Sequence, residues 1–99
     1  MAQLYITAHA RADLKDIYSY ISKDKPEAAK RFVKRFHDKA MDLAENPGMG
    51  KNRGEDLRPD LFSFPVGQYV LFYLQQSKHI VLVRVIHGSR DLPSIFSRP

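Results

Sequence analysis

The first half of the chain places its hydrophobic residues at the spacing of two amphipathic helices. A short apolar segment over residues 3–7 predicts a strand, and Thr7 is suited to cap a helix that runs to about Ser22. A second helix is expected over 26–45, because a proline fits its first position and an Asn-Pro-Gly sequence follows its end. The positions expected to face the interior are Leu14, Ile17, Tyr18 and Ile21 in the first helix and Ala29, Phe32, Val33, Phe36, Ala40 and Leu43 in the second.

After a loop over 46–57, the pattern changes to that of β-strands. Residues 58–66 alternate in polarity, and their two prolines favour a position at the edge of a sheet. Residues 69–74 and 80–87 are nearly continuous apolar runs joined by a short polar segment, which predicts a hairpin. Such runs indicate strands that are central in the sheet or covered on both faces.

These elements together predict an α+β fold. Two helices joined by only three residues form an antiparallel hairpin, and neither can bury its apolar stripe against the other alone. The helical hairpin is therefore expected to pack on a mainly antiparallel sheet in the order β-α-α-β-β-β. At 99 residues, the chain is expected to form a single domain over 1–99.

The composition excludes several classes of site. The chain is 43% hydrophobic and 11% aromatic, as globular proteins are, and it has no cysteine for a disulfide, a thiolate or a cysteine-based zinc site. Its four histidines show no metal-ligand spacing and no cofactor fingerprint is present, so neither a metal nor a cofactor is expected. The N-terminus lacks a signal peptide, and the longest apolar run, Tyr69–Leu74, is far below the roughly 18 residues of a membrane span. We therefore expect a cytoplasmic protein without a membrane partner.

The charge of the chain suggests an anionic partner. The formal net charge is +5, which suits a nucleic acid or an acidic protein segment. The second helix carries a basic stripe, but such a stripe is more typical of a solvated face opposite a buried one. Its members are Lys30, Arg31, Lys34, Arg35 and Lys39.

The segment 81–91 offers the clearest candidate chemistry. Its apolar strand contains Arg84 and ends in His87. An imidazole moves protons near neutral pH and guanidinium groups stabilise phosphate charge, so with Arg58 these residues suggest a metal-free ribonuclease or a phosphate-binding surface. A structural role is the alternative, in which Arg84 pairs with a carboxylate such as Asp91 and His87 only ends the strand. Positions 84 and 87 also point to opposite faces unless a bulge intervenes.

The C-terminal tail is apolar at Leu92, Ile95 and Phe96 in otherwise polar surroundings. These side chains either fold back on the sheet or form an exposed patch for a partner. The sequence pattern leaves both possibilities open.

Short motifs follow one another in a characteristic order along nearly the whole chain. They are Thr7-Ala8, Ala12-Asp13-Leu14 with Ile17, Leu43-Ala44-Glu45-Asn46-Pro47, Gly50-Lys51, Leu57-Arg58-Pro59, the run 64–73 and the run 83–91. In this order they resemble the RelE/ParE superfamily of bacterial type II toxin–antitoxin systems, and the ParE branch most closely.

The resemblance implies a toxin that inhibits DNA gyrase by direct protein contact, without catalysis of its own. It also implies a toxin–antitoxin hetero-oligomer with a ParD-type antitoxin, whose acidic segments would suit the basic surface. The antitoxin is expected at Leu14, Ile17, Phe32 and Phe36. Gyrase is expected to contact the C-terminal segment, and Arg58 and Arg84 are expected to support that contact. The contacting residues are expected to be His87, Arg90, Asp91, Leu92, Ile95 and Phe96.

Two other functions stay open. The RelE branch cuts messenger RNA on the ribosome, and Arg58, Arg84 and His87 match part of its pattern, although a clear glutamate base is absent. A basic nucleic-acid-binding module is the third possibility, but the chain has no known recognition element. Sequence-specific binding to nucleic acid is therefore not expected.

Overall fold

A computed structural model describes residues 3–77 and 79–96, except for the side chain of Ser94. Lys78, in the predicted hairpin turn, and the end of the tail, 97–99, lie outside the described residues. The elements in chain order are β1 (Gln3–Ile6), α1 (Ala8–Ser22), α2 (Pro26–Glu45), a 3₁₀ turn (Pro47–Met49), β2 (Lys51–Asn52), β3 (Leu61–Val66), β4 (Tyr69–Gln75), β5 (His79–His87) and α3 (Leu92–Phe96).

The five strands form one sheet in the order β1-β5-β4-β3-β2. Only β1 and β5 run parallel, and the other neighbours are antiparallel, so the predicted α+β fold is confirmed. The two nearly continuous apolar runs are β4 and β5, which lie inside the sheet as expected. The strand order puts β1 at one edge and the two-residue β2 at the other. β2 pairs only with Phe62 and Ser63 of β3, so no described strand pairs with the outer side of β3 at Pro65, as its proline favours.

The main core lies between the helical hairpin and one face of the sheet, which we call the helix face. It contains residues that the helical spacing predicted, such as Ile17 and Phe36, and large side chains of the central strands, such as Tyr73 and Leu82. A smaller apolar cluster lies on the opposite face, which we call the far face. It is centred on Leu61, Phe72 and Ile86.

Two helical positions were assigned to the interior wrongly. Tyr18 is 37% exposed and Val33 is 45% exposed. The buried face of α1 follows Ala10 and Ile17, and that of α2 follows Ala29 and Phe36. Tyr18 and Val33 lie next to these stripes rather than on them, because one residue along a helix turns the side chain by about 100°.

The loop before β3 is more ordered than the sequence predicts. It holds the 3₁₀ turn and β2, and β3 begins at Leu61 rather than at 58. Arg53 organises this segment: its Nε and Nη2 donate to the Asp56 carboxylate, Nη2 at 2.6 Å, and its Nη1 donates to Ser63 Oγ at 3.1 Å. The hydrogen bond with Arg53 is the main cause that lowers the pKa of Asp56. Asp60 then turns the chain with a φ of 66°.

Tyr73 closes the end of the main core beneath the 3₁₀ turn. Its ring is fully buried, and its hydroxyl donates to the Pro47 carbonyl oxygen at 2.6 Å. Burial raises the pKa of Tyr73, and a hydrogen bond to the backbone of Gly50 partly opposes that shift. A Cβ atom at position 50 would overlap with the Tyr73 phenol, so the contact requires a glycine there.

We predict that Gly50→Ala lowers the free energy of unfolding by about 1–3 kcal/mol, because the phenol that the new Cβ atom overlaps is fully buried and hydrogen-bonded to Pro47. Gly48→Ala is the matched control, since a Cβ atom there meets nothing within 4 Å, and it should change stability by less than about 0.5 kcal/mol. Urea denaturation of the three proteins measures the difference. Equal stability of Gly50→Ala and the unsubstituted protein would contradict the role given to Gly50.

Candidate functional site

Arg84 lies on β5 just beyond the point where β1 ends, and it is held by a carboxylate of α1. Its Nε donates to Asp13 Oδ2 at 2.8 Å and its Nη2 donates to Asp13 Oδ1 at 3.2 Å. The backbone N–H of Val85 donates to the same Oδ2 at 2.9 Å. Arg84 therefore pairs with a carboxylate, as the structural alternative anticipated, but the partner is Asp13 rather than Asp91.

A bulge in β5 determines where the side chains of Arg84 and His87 point. Residues Phe72 and Tyr73 of β4 face Arg84 and Leu82, so Val83 is the extra residue. Beyond it the pairing is regular, with Arg84 opposite Phe72 and His87 opposite Tyr69. Phe72 belongs to the far face and Tyr69 to the helix face, and cross-strand partners share a face. The bulge precedes Arg84, so Arg84 and His87 still lie on opposite faces.

Arg58 and Arg84 line one depression on the far-face side of the molecule. His9 from the start of α1 and Phe96 from α3 line it too, and its described lining residues include no carboxylate. Two of the three residues considered for a ribonuclease are therefore brought together. The third, His87, lies in a different depression.

His87 lies on the helix face among aromatic and polar side chains. Its ring is perpendicular to that of Tyr69, with 5.2 Å between the centroids, and its Nδ1 accepts a hydrogen bond from the Ser89 backbone N–H at 3.1 Å. Tyr20 and Arg90 line the same depression. Burial is the main cause that raises the pKa of Tyr69, and the nearby Tyr20 adds to it. The Ser89 contact leaves Nε2 as the ring nitrogen of His87 that is available to a ligand.

The apolar tail folds back on the sheet. Leu92, Ile95 and Phe96 pack against the far-face cluster, and the Phe96 ring lies 4.6 Å from that of Phe72. The predicted target-contacting set is thus divided: its tail residues lie on the far face, while His87 and Arg90 line the depression on the helix face. Ile95 and Phe96 line the depression that contains Arg58 and Arg84, whereas His87 and Arg90 line the other one.

The four residues expected to bind an antitoxin differ in accessibility. Ile17 and Phe36 are buried in the main core, whereas Leu14 and Phe32 are half-buried at its margin. A partner that lies on the helical hairpin would therefore contact Leu14 and Phe32. The expectation that an antitoxin binds at these positions stays a prediction.

Among the described residues, no group of three or more His, Asp or Glu side chains is placed to hold a metal ion. No helix in that part of the chain is long and apolar enough to cross a membrane.

Sequence reasoning missed Asp13 and Tyr20 as site residues. Asp13 is separated from Arg84 by 71 positions, and no local pattern links the two. For Tyr20 a signal was available, because an aromatic residue on the polar side of an amphipathic helix has no place in the core.

Comparison with protein families gives one match that spans most of the chain. A family model described as the ParE toxin of the type II toxin–antitoxin system, parDE, matches residues 4–92. Toxin RelE2 of Caulobacter vibrioides is 37% identical over 90 residues, which cover 91% of this chain and 99% of that protein. Toxin RelE3 of the same organism is 26% identical over 88 residues, which cover 89% and 96% of the two chains.

Solved structures agree with the fold. A chain of the chromosomal ParDE system of P. aeruginosa superposes with a TM-score of 0.74 at 22% identity, covering 88% of this chain and 96% of the other. A chain of the RelBE2 toxin–antitoxin complex of Mycobacterium tuberculosis gives a TM-score of 0.59 at 28% identity, with 87% and 96% covered. Both structures are of toxin–antitoxin systems.

We predict that Asp13→Ala lowers the free energy of unfolding by about 2 kcal/mol, because it leaves the half-buried Arg84 guanidinium and the Val85 N–H without their acceptor. Asp16→Ala, one turn away on the exposed side of the same helix, should cost less than about 0.5 kcal/mol. Chemical denaturation at neutral pH measures both. Similar losses for the two variants would mean that the contact with Arg84 adds nothing to stability.

Proposed function

Since the chain belongs to the ParE toxin family of type II toxin–antitoxin systems, we propose that it inhibits DNA gyrase by direct protein contact and that a ParD-type antitoxin neutralises it. The observation that carries the gyrase proposal is the separation of Arg84 from His87. Arg58 and Arg84 line one depression and His87 lines another. Because the bulge at Val83 precedes Arg84, Arg84 and His87 lie on opposite faces of the sheet. A ribonuclease would need the three side chains at one site, whereas a surface that acts by contact does not.

The bonding of the two residues supports a role without catalysis. Two nitrogen atoms of the Arg84 guanidinium donate to Asp13, so much of its charge is already neutralised within the fold. An arginine that stabilises a phosphate in flight would have to direct those donors at the substrate. The Nδ1 atom of His87 accepts a hydrogen bond from Ser89 and the Tyr69 ring lies beside the imidazole, in a different depression from Arg58 and Arg84.

A ribosome-dependent messenger-RNA endoribonuclease is the second candidate function. Two relatives carry the name RelE, one of them at 37% identity over 90 residues, and this similarity is the observation in its favour. In that case Arg58, Arg84 and His87 would act on the RNA. They would have to work from two faces of the sheet, or the chain would have to rearrange on the ribosome.

An antitoxin partner is supported by the nature of the structural relatives, which come from the ParDE and RelBE2 toxin–antitoxin systems. We place the antitoxin over the helical hairpin, where Leu14 and Phe32 are half-buried and the exposed Lys34 and Arg35 of α2 would attract an acidic segment. The toxin and antitoxin would form a hetero-oligomer in the cytoplasm, where the toxin would meet gyrase.

We predict that the purified protein blocks supercoiling by gyrase and leaves gyrase-linked breaks in plasmid DNA. Arg90→Ala should weaken this inhibition about tenfold, because arginine is often a dominant contact at protein interfaces and Arg90 is exposed in the predicted contact segment. Arg11→Ala, an equally charged change at an exposed position of α1, is the matched control and should inhibit like the unsubstituted protein. The readout is the toxin concentration that halves supercoiling.

Two outcomes would contradict the gyrase proposal. One is normal supercoiling in the presence of excess folded toxin. The other is cleavage of translated messages at fixed codon positions, lost in His87→Ala, while gyrase stays active. An equimolar ParD-type antitoxin should restore supercoiling, and an antitoxin that binds without restoring it would contradict the neutralisation proposal.

A further inference from the structure

Two neighbouring depressions on the hairpin side of the molecule share Tyr20 and Gln68 in their linings. We call the two together the hairpin groove. It runs from the turn between α1 and α2, past the turn between β3 and β4, to the end of β5. The side chains that matter for its chemistry are Tyr20, Lys23, Lys25, Tyr69, His87 and Arg90.

Three aromatic rings line the hairpin groove, those of Tyr20, Tyr69 and His87. Tyr20 is 74% exposed, more than any other large hydrophobic side chain in residues 3–77 and 79–96. It lies close enough to Tyr69 to contribute to the raised pKa of that residue, and the His87 ring stands edge-on to Tyr69. Tyr20 serves no visible purpose in the core, so its flat ring is available to a ligand.

Cationic side chains line the same groove as these rings. Lys23, Lys25 and Arg90 are exposed, and none of them forms an ion pair with another residue in the described part of the chain. The Arg35 guanidinium lies beside Gly67, next to the groove. Asp16 and Asp24 also line the groove, so its lysine and arginine side chains outnumber its carboxylates by three to two.

We propose that the hairpin groove binds a single strand of nucleic acid without regard to sequence. Lysine and arginine side chains would contact the phosphates, a base would stack on Tyr20, and the Tyr69 hydroxyl and His87 Nε2 would donate hydrogen bonds. Exposed aromatic rings interleaved with cations are the features that bind single strands in this way. An acidic peptide would use the cations but would gain little from the exposed ring.

The inference goes beyond the contact with gyrase and does not depend on it. Single-stranded segments occur in DNA and in RNA, and both offer the same phosphates and the same stacking faces. The binding measurement uses the toxin and an oligonucleotide alone. If the oligonucleotide does not bind, the gyrase proposal is unaffected. If the toxin does not inhibit gyrase, the proposal of strand binding is unaffected.

The test is fluorescence anisotropy of a labelled twelve-residue oligo-dT with the full chain. Binding should weaken with salt, with a slope of about 2–3 in the logarithmic plot if three or four phosphates are contacted. Tyr20→Ala should raise the Kd about tenfold, whereas Tyr20→Phe, which keeps the stacking face, should stay within about twofold. Tyr5→Ala, at an exposed tyrosine on β1, is the control and should not change the Kd.

Charge is tested separately. Lys25→Glu should weaken binding several-fold, whereas Lys15→Glu, an equal change of net charge at an exposed position outside the groove, should have a much smaller effect. Oligo-U of the same length distinguishes the source: tighter binding of oligo-dT assigns the groove to DNA, and tighter binding of oligo-U assigns it to RNA.

Four results would overturn the proposal. They are no binding of either strand at low salt, equally tight binding of a duplex, a Kd that is unchanged in Tyr20→Ala, and full competition by polyglutamate at equal charge. The last result would identify the groove as a site for an acidic protein segment.

Discussion

The Asp13 carboxylate joins α1 to the sheet at the place where β5 extends beyond β1. β1 pairs with β5 only as far as Leu82, and among the described residues no strand lies beside the edge of β5 beyond that point. Along this edge, the Thr7 N–H donates to the Leu82 carbonyl oxygen at 3.0 Å. Asp13 then accepts hydrogen bonds from the Val85 N–H and from the Arg84 guanidinium. Without Asp13, the Val85 N–H would lack a hydrogen-bond acceptor and the Arg84 guanidinium would lack a carboxylate partner. The start of α1 is thereby tied to a central strand.

This tie and the bulge at Val83 give the molecule two different polar surfaces. The far-face depression presents Arg58 and the remaining donor capacity of Arg84 under the short helix α3, while the hairpin groove presents aromatic rings and cations. The polar edge of β5 is therefore divided between the surfaces and assembles no single reaction centre from Arg58, Arg84 and His87. That division suits a toxin that acts by contact, and it leaves the hairpin side open to a macromolecular ligand.

The sequence predicts the elements well because their signals are local. The spacing of Leu14, Ile17 and Phe36 identifies the helical hairpin, and the apolar runs identify β4 and β5. The errors at Tyr18 and Val33 occur at the margins of those stripes, where a shift of one residue along the helix decides between core and solvent. The Asp13–Arg84 pair and the bulge at Val83 depend on chain segments brought together only by folding, so no local pattern contains them. The structure also settles the alternatives for Leu92, Ile95 and Phe96, which pack on the sheet because the far face would otherwise expose Phe72.

We propose that this toxin acts on DNA gyrase through contact and carries no ribonuclease centre. The most direct measurement is a paired map of DNA ends and messenger-RNA ends in cells shortly after the toxin is expressed. A toxin that acts on gyrase should produce DNA breaks with gyrase covalently attached and leave messages without new codon-phased ends. New codon-phased ends in translated messages, together with intact DNA, would contradict the proposal.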